Sequence, residues 1–300
     1  MQQWNFAVQM RLTPNLSLDV AYVGNNTIRS AQSVSENDPP PGPGPSVQTR
    51  RPLPQWGAIS LKELRGYGNY NSLQVKLEKR FAQGFQMLAA YTNSKCIDHG
   101  SDQGGPPTAL LYFVNRATCD YNPSQNLVVS SVYELPFGAG RHFLGSANKF
   151  VNGVLGGWEV AGILTLRTGL PFTPTISSDR ANTGVGGQRP IRLGSGSLAD
   201  PTPTLWFNVN DFAVPAQFTY GNSGRNILNA DPLRQLDMTV LKRFRITERK
   251  RLEYRTEFFN ISNHPVFSIP VTTIDTPTAG RVTSTLNSGR ILQFALKFSF

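Results

Sequence analysis

The sequence lacks the features that place most chains in a class at once. No stretch approaches the roughly 20 consecutive apolar residues of a membrane helix. The longest apolar cluster, Ala109-Leu-Leu-Tyr-Phe-Val114, is far too short. That excludes a helical membrane protein but not a barrel, whose strands alternate. No basic segment, apolar run and small-residue cleavage site follow Met1, so an export signal is not legible there. Three His and two Cys leave little metal chemistry to consider. Asp98-His99 with Asp102 lacks the ligand spacing of a metal site and reads as solvated loop. The glycines of Thr183-Gly-Val-Gly-Gly187 fit neither phosphate-binding nor dinucleotide-binding spacing. No Ser sits in a nucleophile elbow, and neither Cys has a nucleophile setting. The chain is therefore read as a non-enzyme with no catalytic, cofactor-binding or metal-binding residues.

Acidic charge is also scarce: 19 Asp and Glu stand against 29 Lys and Arg, a formal net charge of +10. Such an excess raises nucleic-acid binding. Here the basic residues do not cluster. They alternate with acids, as in Lys76-Leu-Glu-Lys-Arg80 and Arg251-Leu-Glu-Tyr-Arg-Thr-Glu257, and no nucleic-acid module pattern is present. A lumen of mixed charge, with basic loops near anionic headgroups, accounts for the balance better.

What the sequence has in quantity is period-two alternation. It ends in Ile291-Leu-Gln-Phe-Ala-Leu-Lys-Phe-Ser-Phe300. Leu292, Phe294, Leu296, Phe298 and Phe300 share one face; Gln293, Ala295, Lys297 and Ser299 share the other. This reads as an insertion strand with a lipid-facing side, or as the last strand of a soluble sandwich. The same pattern recurs at least nine times. In the strand from Trp158, Val160, Gly162, Leu164 and Leu166 alternate with Glu159, Ala161, Thr165 and Arg167. In another, Leu252, Tyr254 and Phe258 alternate with Arg251, Glu253, Arg255 and Glu257. That charged face is too costly to bury unpaired. It must meet water, so its opposite face meets lipid or a second sheet.

The connections decide between those two. Thr13–Asn15, Ala82–Gly84 and Thr247–Lys250 are short, and 136–157 is of medium length on the same side. Asn25–Tyr70, Lys95–Gln125, Thr168–Arg234 and Ser262–Ser288 are long and rich in Gly, Pro, Ser and Asn. Long loops at one end and tight turns at the other are the outer-membrane barrel pattern. We therefore expect an all-β antiparallel transmembrane barrel segment of about nine strands. Trp158, Leu164, Tyr254, Phe258, Phe294 and Phe298 are expected outward. The charges Glu159, Arg167, Arg251, Glu253, Arg255 and Glu257 are expected toward the lumen. An odd strand count starting at an extracellular loop is unusual for a complete barrel. Cys96 and Cys119 lie in one long loop near strand ends. They are read as a disulfide or two free thiols, with export favouring the bridge.

The residues then resemble a known family. The matching stretches are Gln3-Trp-Asn-Phe-Ala-Val-Gln9 with Ala21-Tyr-Val-Gly24, Tyr70-Asn-Ser-Leu-Gln74 with Lys79-Arg-Phe81, and Tyr91-Thr-Asn-Ser-Lys95. Further along come Tyr133-Glu-Leu-Pro-Phe-Gly138, Gly156-Gly-Trp158, Arg167-Thr-Gly-Leu-Pro-Phe172, Trp206-Phe-Asn208, Phe212 and Tyr220-Gly-Asn-Ser-Gly-Arg-Asn226. Arg255-Thr-Glu-Phe-Phe-Asn260, Asn263-His-Pro265 and the aromatic end complete the set. In this order they resemble the C-terminal barrel of TonB-dependent outer-membrane transporters, of the Oar-like group that carries a carboxypeptidase-regulatory-like domain. The resemblance implies the outer membrane of a Gram-negative bacterium and a barrel of about 22 strands around a plug. It also implies energised uptake of an unknown substrate. The partners it implies are outer-membrane lipid, the barrel assembly machinery and, through a plug, the TonB complex; cofactors and nucleic acid are not among them. Residues 1–300 correspond to the C-terminal portion of such a barrel, without plug, regulatory-like domain or signal peptide, and read as a fragment. The alternatives are a passive porin-like or adhesive outer-membrane barrel, and a secreted soluble β-protein that binds glycans.

Overall fold

The computed structural model describes residues 1–101, 113–247 and 249–300. Nine long strands follow one another in the sheet in chain order. They are β1 (Gln2–Thr13), β2 (Leu16–Ser35), β3 (Ser60–Ala82), β4 (Phe85–Asp98) and β5 (Gln125–Glu134), then β6 (Trp158–Arg167), β7 (Leu233–Arg245), β8 (Arg251–Phe259) and β9 (Ile291–Ser299). Every neighbouring pair is antiparallel. A two-residue strand, Ala117–Thr118, adds to β4 and makes ten in all. The path does not close on itself, because β1 pairs with β2 and β9 with β8 at its two ends.

The tight turns are set by local chemistry. Between β3 and β4, Gln83 and Gly84 both take positive φ, 56° and 79°. A two-residue hairpin loop needs that conformation to match the strand twist. Between β5 and β6 the chain forms a short helix, α1 (Lys149–Leu155), capped by Asn148, whose side chain accepts the Val151 N–H at 2.8 Å.

Register carries the alternation across the whole sheet. Trp158 stands opposite Lys242, and Lys242 opposite Tyr254. Leu164 pairs with Leu236, Phe258 with Leu292, and Thr256 with Phe294. These residues share one face with Trp4, Val20, Val75 and Tyr91. The intervening residues, Glu159, Arg167, Arg251, Glu253, Arg255 and Glu257 among them, share the other face. Among the described residues no second sheet covers the apolar face: Phe6, Leu73, Phe294, Leu296 and Phe298 are exposed. An uncovered apolar face this wide is not that of a water-soluble sandwich.

One loop expectation is corrected. Asn25–Tyr70 is not a loop throughout. β2 and β3 stay paired from Asn25 opposite Tyr70 out to Ser35 opposite Ser60. The connection proper is residues 36–59. Here polar residues fall on both faces, with Asn25, Asn26, Gln32 and Asn69 along the ladder, and apolar ones such as Ile28, Ala31 and Leu64 keep no fixed parity. The period-two signal therefore fades although the strands continue.

Candidate functional site

The chemistry concentrates on the polar face and on the long loops above it. On the polar face the charges form a ladder rather than isolated groups. Arg243 on β7 meets Glu159 of β6 at 2.6 Å and Glu253 of β8 at 3.7 Å. Arg255 lies between Glu253, at 2.9 Å, and Glu257, at 3.3 Å. Arg243 stands directly opposite Glu253 and diagonal to Glu159, whereas Arg255 meets Glu253 and Glu257 along its own strand, two positions away on the same face. A second group joins Lys76 to Asp19 and Glu78, each at 3.3 Å. Of the charges singled out from sequence, Glu159, Glu253, Arg255 and Glu257 belong to this ladder. Arg167 does not: it lies at the other end of β6, opposite Asn126 and Leu233. Arg251 is also apart, opposite Arg245 on one side and Ser299 on the other. Its side chain joins Arg243, Arg245, Arg249 and Lys297 around a basic recess at the short-turn end. On the apolar face, Leu292, Phe294, Leu296 and Phe298 are all exposed; Phe300 lies just beyond the strand, its ring 6.1 Å from Phe298.

Sequence reasoning missed that the long loops fold together. Phe172, Ile176, Phe207, Phe212, Leu228, Ala230 and Ile274 form one buried cluster, drawn from the 168–232 and 260–290 connections. Those two segments are also joined through Asp275, which accepts from the Ser177 N–H and hydroxyl, both at 2.8 Å. Burial raises the Asp275 carboxyl pKa, but these hydrogen bonds outweigh it, and the net direction is down. The first loop joins through Asn182, whose amide donates to the Gly42 carbonyl at 3.0 Å, and Arg50, which donates to the Asn182 carbonyl at 2.7 Å.

Arginines lock the second loop to the third. Arg225 pairs with Asp98 and, at 2.6 Å, with Asp120. Arg189 donates to the Asn115 side chain and, at 3.1 Å, to the Val114 carbonyl. Burial, with the neighbouring Arg225 guanidinium, pushes the Arg189 pKa down to about 10. It stays cationic at neutral pH and holds its carbonyl partners as a charged donor. Asp98 and His99, expected from the sequence to be solvated loop, are instead buried at the end of β4: Asp98 is an arginine partner, and Asn115 donates to the His99 carbonyl. Asp102 lies outside the described residues.

Cys96 and Cys119 form a disulfide at the base of the second loop, with Cα atoms 5.4 Å apart. The Cys119 N–H donates to the Cys96 carbonyl at 3.2 Å. Beside the bridge a polar cleft opens, lined by Asn25, Thr27, Tyr70, Asp98, Ser101 and Tyr121. Replacing both cysteines, Cys96→Ser with Cys119→Ser, is expected to loosen the loop by about 3 kcal/mol on the chain-entropy model. Proteolysis of the second loop should accelerate while the sheet persists. Non-reducing peptide mapping that recovers two free thiols from membrane-extracted protein would sink the bridge.

An uncovered apolar face, a charged opposite face, long loops at one end and tight turns at the other define the wall of an outer-membrane β-barrel. The profile of the outer membrane beta barrel domain family matches residues 1–293, and the chain belongs to that family. It is a family of membrane barrels, not of enzymes, and places the chain in the outer membrane of a Gram-negative bacterium. The soluble, glycan-binding alternative falls with it. Among solved structures, the chain is similar to BauA, the ferric preacinetobactin receptor from Acinetobacter baumannii, at 8% identity and a TM-score of 0.52; the match covers 99% of this chain and 29% of that one. It is similar to the siderophore receptor PiuA from Acinetobacter baumannii at 9% identity and TM-score 0.52, covering 99% and 28%. It is also similar to the outer membrane transporter YddB from Escherichia coli at 10% identity and TM-score 0.51, covering 99% and 32%. The chain thus spans less than a third of each of these structures. No curated protein matches the sequence significantly.

Proposed function

We propose that residues 1–300 form the C-terminal wall of a TonB-dependent transporter barrel of the Oar-like group, working in energised uptake of a still unidentified substrate. The observation that carries this reading is the loop assembly. All four long connections pack into one cap above a charged wall, held by Arg225, Arg189, Asn182 and the Phe207 cluster. A passive pore has no need of a cap that joins every loop. A receptor that holds a ligand outside before admitting it does. The likeness in fold to three receptors and transporters agrees with this. In this reading the charge ladder lines the lumen, and the polar cleft beside the disulfide faces the ligand entry side. The barrel assembly machinery inserts the barrel, and the TonB complex acts through a plug supplied outside residues 1–300.

The test is to read the coding sequence upstream of Met1. A plug and a TonB-contacting segment in frame are the expected result. A signal peptide joined directly to further barrel strands would replace this reading with the passive porin-like or adhesive one.

A further inference from the structure

The connection between β5 and β6 has no role in any of this. It is far longer than a two-residue turn, it holds α1, and it lies at the short-turn end of the wall. Its residues 136–157 include Arg141, His142 and Lys149 but no Asp or Glu. Its large apolar side chains are turned out: Phe150 is 80% exposed and Val154 52%, and Phe143, Leu144 and Leu155 are exposed as well. On α1, Phe150, Val151, Val154 and Leu155 fall within one arc of about 140° at 100° per residue. Lys149 and Gly153 lie outside that arc.

Two side chains fix where this helix sits. Trp158 Nε1 donates to the Val154 carbonyl at 2.9 Å. Lys242 Nζ donates to the Val154 carbonyl at 3.2 Å and to the Gly156 carbonyl. Both belong to the apolar, lipid-facing side of the wall. Lys242 occupies the parity of Leu236, Met238 and Val240, where a charge is expensive. It is 2% exposed. Its ammonium lies 5.2 Å from the Trp158 ring centroid and 5.0 Å from that of Phe244. A cation at a helix C-terminus satisfies carbonyls the helix leaves free. Gly157 completes the seat at φ +71°, where an added Cβ would lie 2.7 Å from the Arg243 carbonyl. The helix is therefore pinned to the outside of the wall, continuous with the lipid-facing surface.

We propose that residues 136–157 form a membrane foot, with α1 lying in the plane of the periplasmic-leaflet interface. Phe150, Val154 and Leu155 enter the acyl boundary, Lys149 stays among the phospholipid phosphates, and Lys242 is the positioning residue that holds the helix there. An acid-free, basic segment with one apolar arc is the chemistry of an interfacial helix. The partner is the phospholipid surface itself. The proposal rests on the outer-membrane location and is independent of whether the barrel transports anything.

The test places a nitroxide label on a single added cysteine in a complete barrel that contains residues 1–300, assembled in outer-membrane vesicles. The positions are Phe150→Cys, Val154→Cys, Lys149→Cys and Gly153→Cys. At Gly153 an added Cβ would meet no neighbour within 4 Å, so a cysteine fits there. Expected is stronger relaxation by dissolved oxygen than by a water-soluble nickel chelate at 150 and 154, and the reverse at 149 and 153. In Lys242→Met the contrast between positions should disappear while heat-modifiable migration persists. Equal access of both reagents everywhere would mean the foot hangs in water and would overturn the proposal. Exclusion of both reagents at 150 and 154 would overturn it in favour of a covering protein. Retention of the contrast in Lys242→Met would remove the positioning role of that lysine.

Discussion

Phe207→Ala is expected to open the loop cap and leave the wall standing. Phe207 is 1% exposed, with its ring centroid 5.7 Å from Phe172 and 5.9 Å from Phe212. Truncating a buried Phe costs about 3–5 kcal/mol through lost burial and the remaining cavity. That cost falls on loops whose packing depends on one small cluster. The strands are held by their own ladder and by lipid. In a complete barrel that contains residues 1–300, proteolysis of intact cells should therefore cut within 168–232 much faster in the variant, while heat-modifiable migration stays. Leu193→Ala, at a position 68% exposed, should change neither, since surface truncations usually stay within about 0.5 kcal/mol. Unchanged cleavage in Phe207→Ala would mean the cluster does not hold the cap. Loss of migration as well would mean that cap and wall fold as one cooperative unit.

The same cluster marks the limit of what the sequence reveals. The wall was legible because each strand repeats one rule: Glu159 in, Val160 out, Ala161 in. Register then follows from that rule, since a slip of one residue would turn every apolar side chain to water. The ladder on the polar face follows too, as charges at alternate positions share that face along a strand and across neighbouring strands. The cap obeys no such rule. Phe172, Phe207 and Leu228 are separated by long irregular stretches, and Leu228 and Ile274 by the whole of β7 and β8, with no period to link them. Arg225 and Asp98 are 127 positions apart. Only a folded chain brings them together. The polar hairpin beyond Asn25 and Tyr70 failed to show for a related reason. Above the membrane neither strand face meets lipid, so nothing selects alternation. Lys242 breaks the rule inside the wall, and the reason lies outside its strand, in the carbonyls of Val154 and Gly156.

Expressed by themselves, even behind a signal peptide, residues 1–300 are expected to give no monomeric folded barrel. The argument is one of hydrogen bonds. Among the described residues, β1 and β9 each have a partner on one side only. Both are exposed along their whole length. Each outer edge presents a row of unpaired N–H and C=O groups. In hydrocarbon every such group costs several kcal/mol, so an open edge cannot rest there. Pairing β1 with β9 directly does not rescue the chain, because nine strands would have to curl far more tightly than the wall of the larger barrels it matches. An odd pairing of this kind also sets two downward strands side by side, where bacterial barrels keep every pair antiparallel. In water the same edges template association, and the broad face of Phe6, Leu73, Phe294 and Leu296 adds to it. Aggregation is the expected fate, unless the missing strands arrive from a longer protein or a second chain. The measurement is heat-modifiable migration of residues 1–300 recovered from an outer-membrane host. A monomeric species that shifts on heating would show that this wall closes alone and would overturn the reading of it as part of a larger barrel. A shift seen only on co-expression with upstream strands would support it.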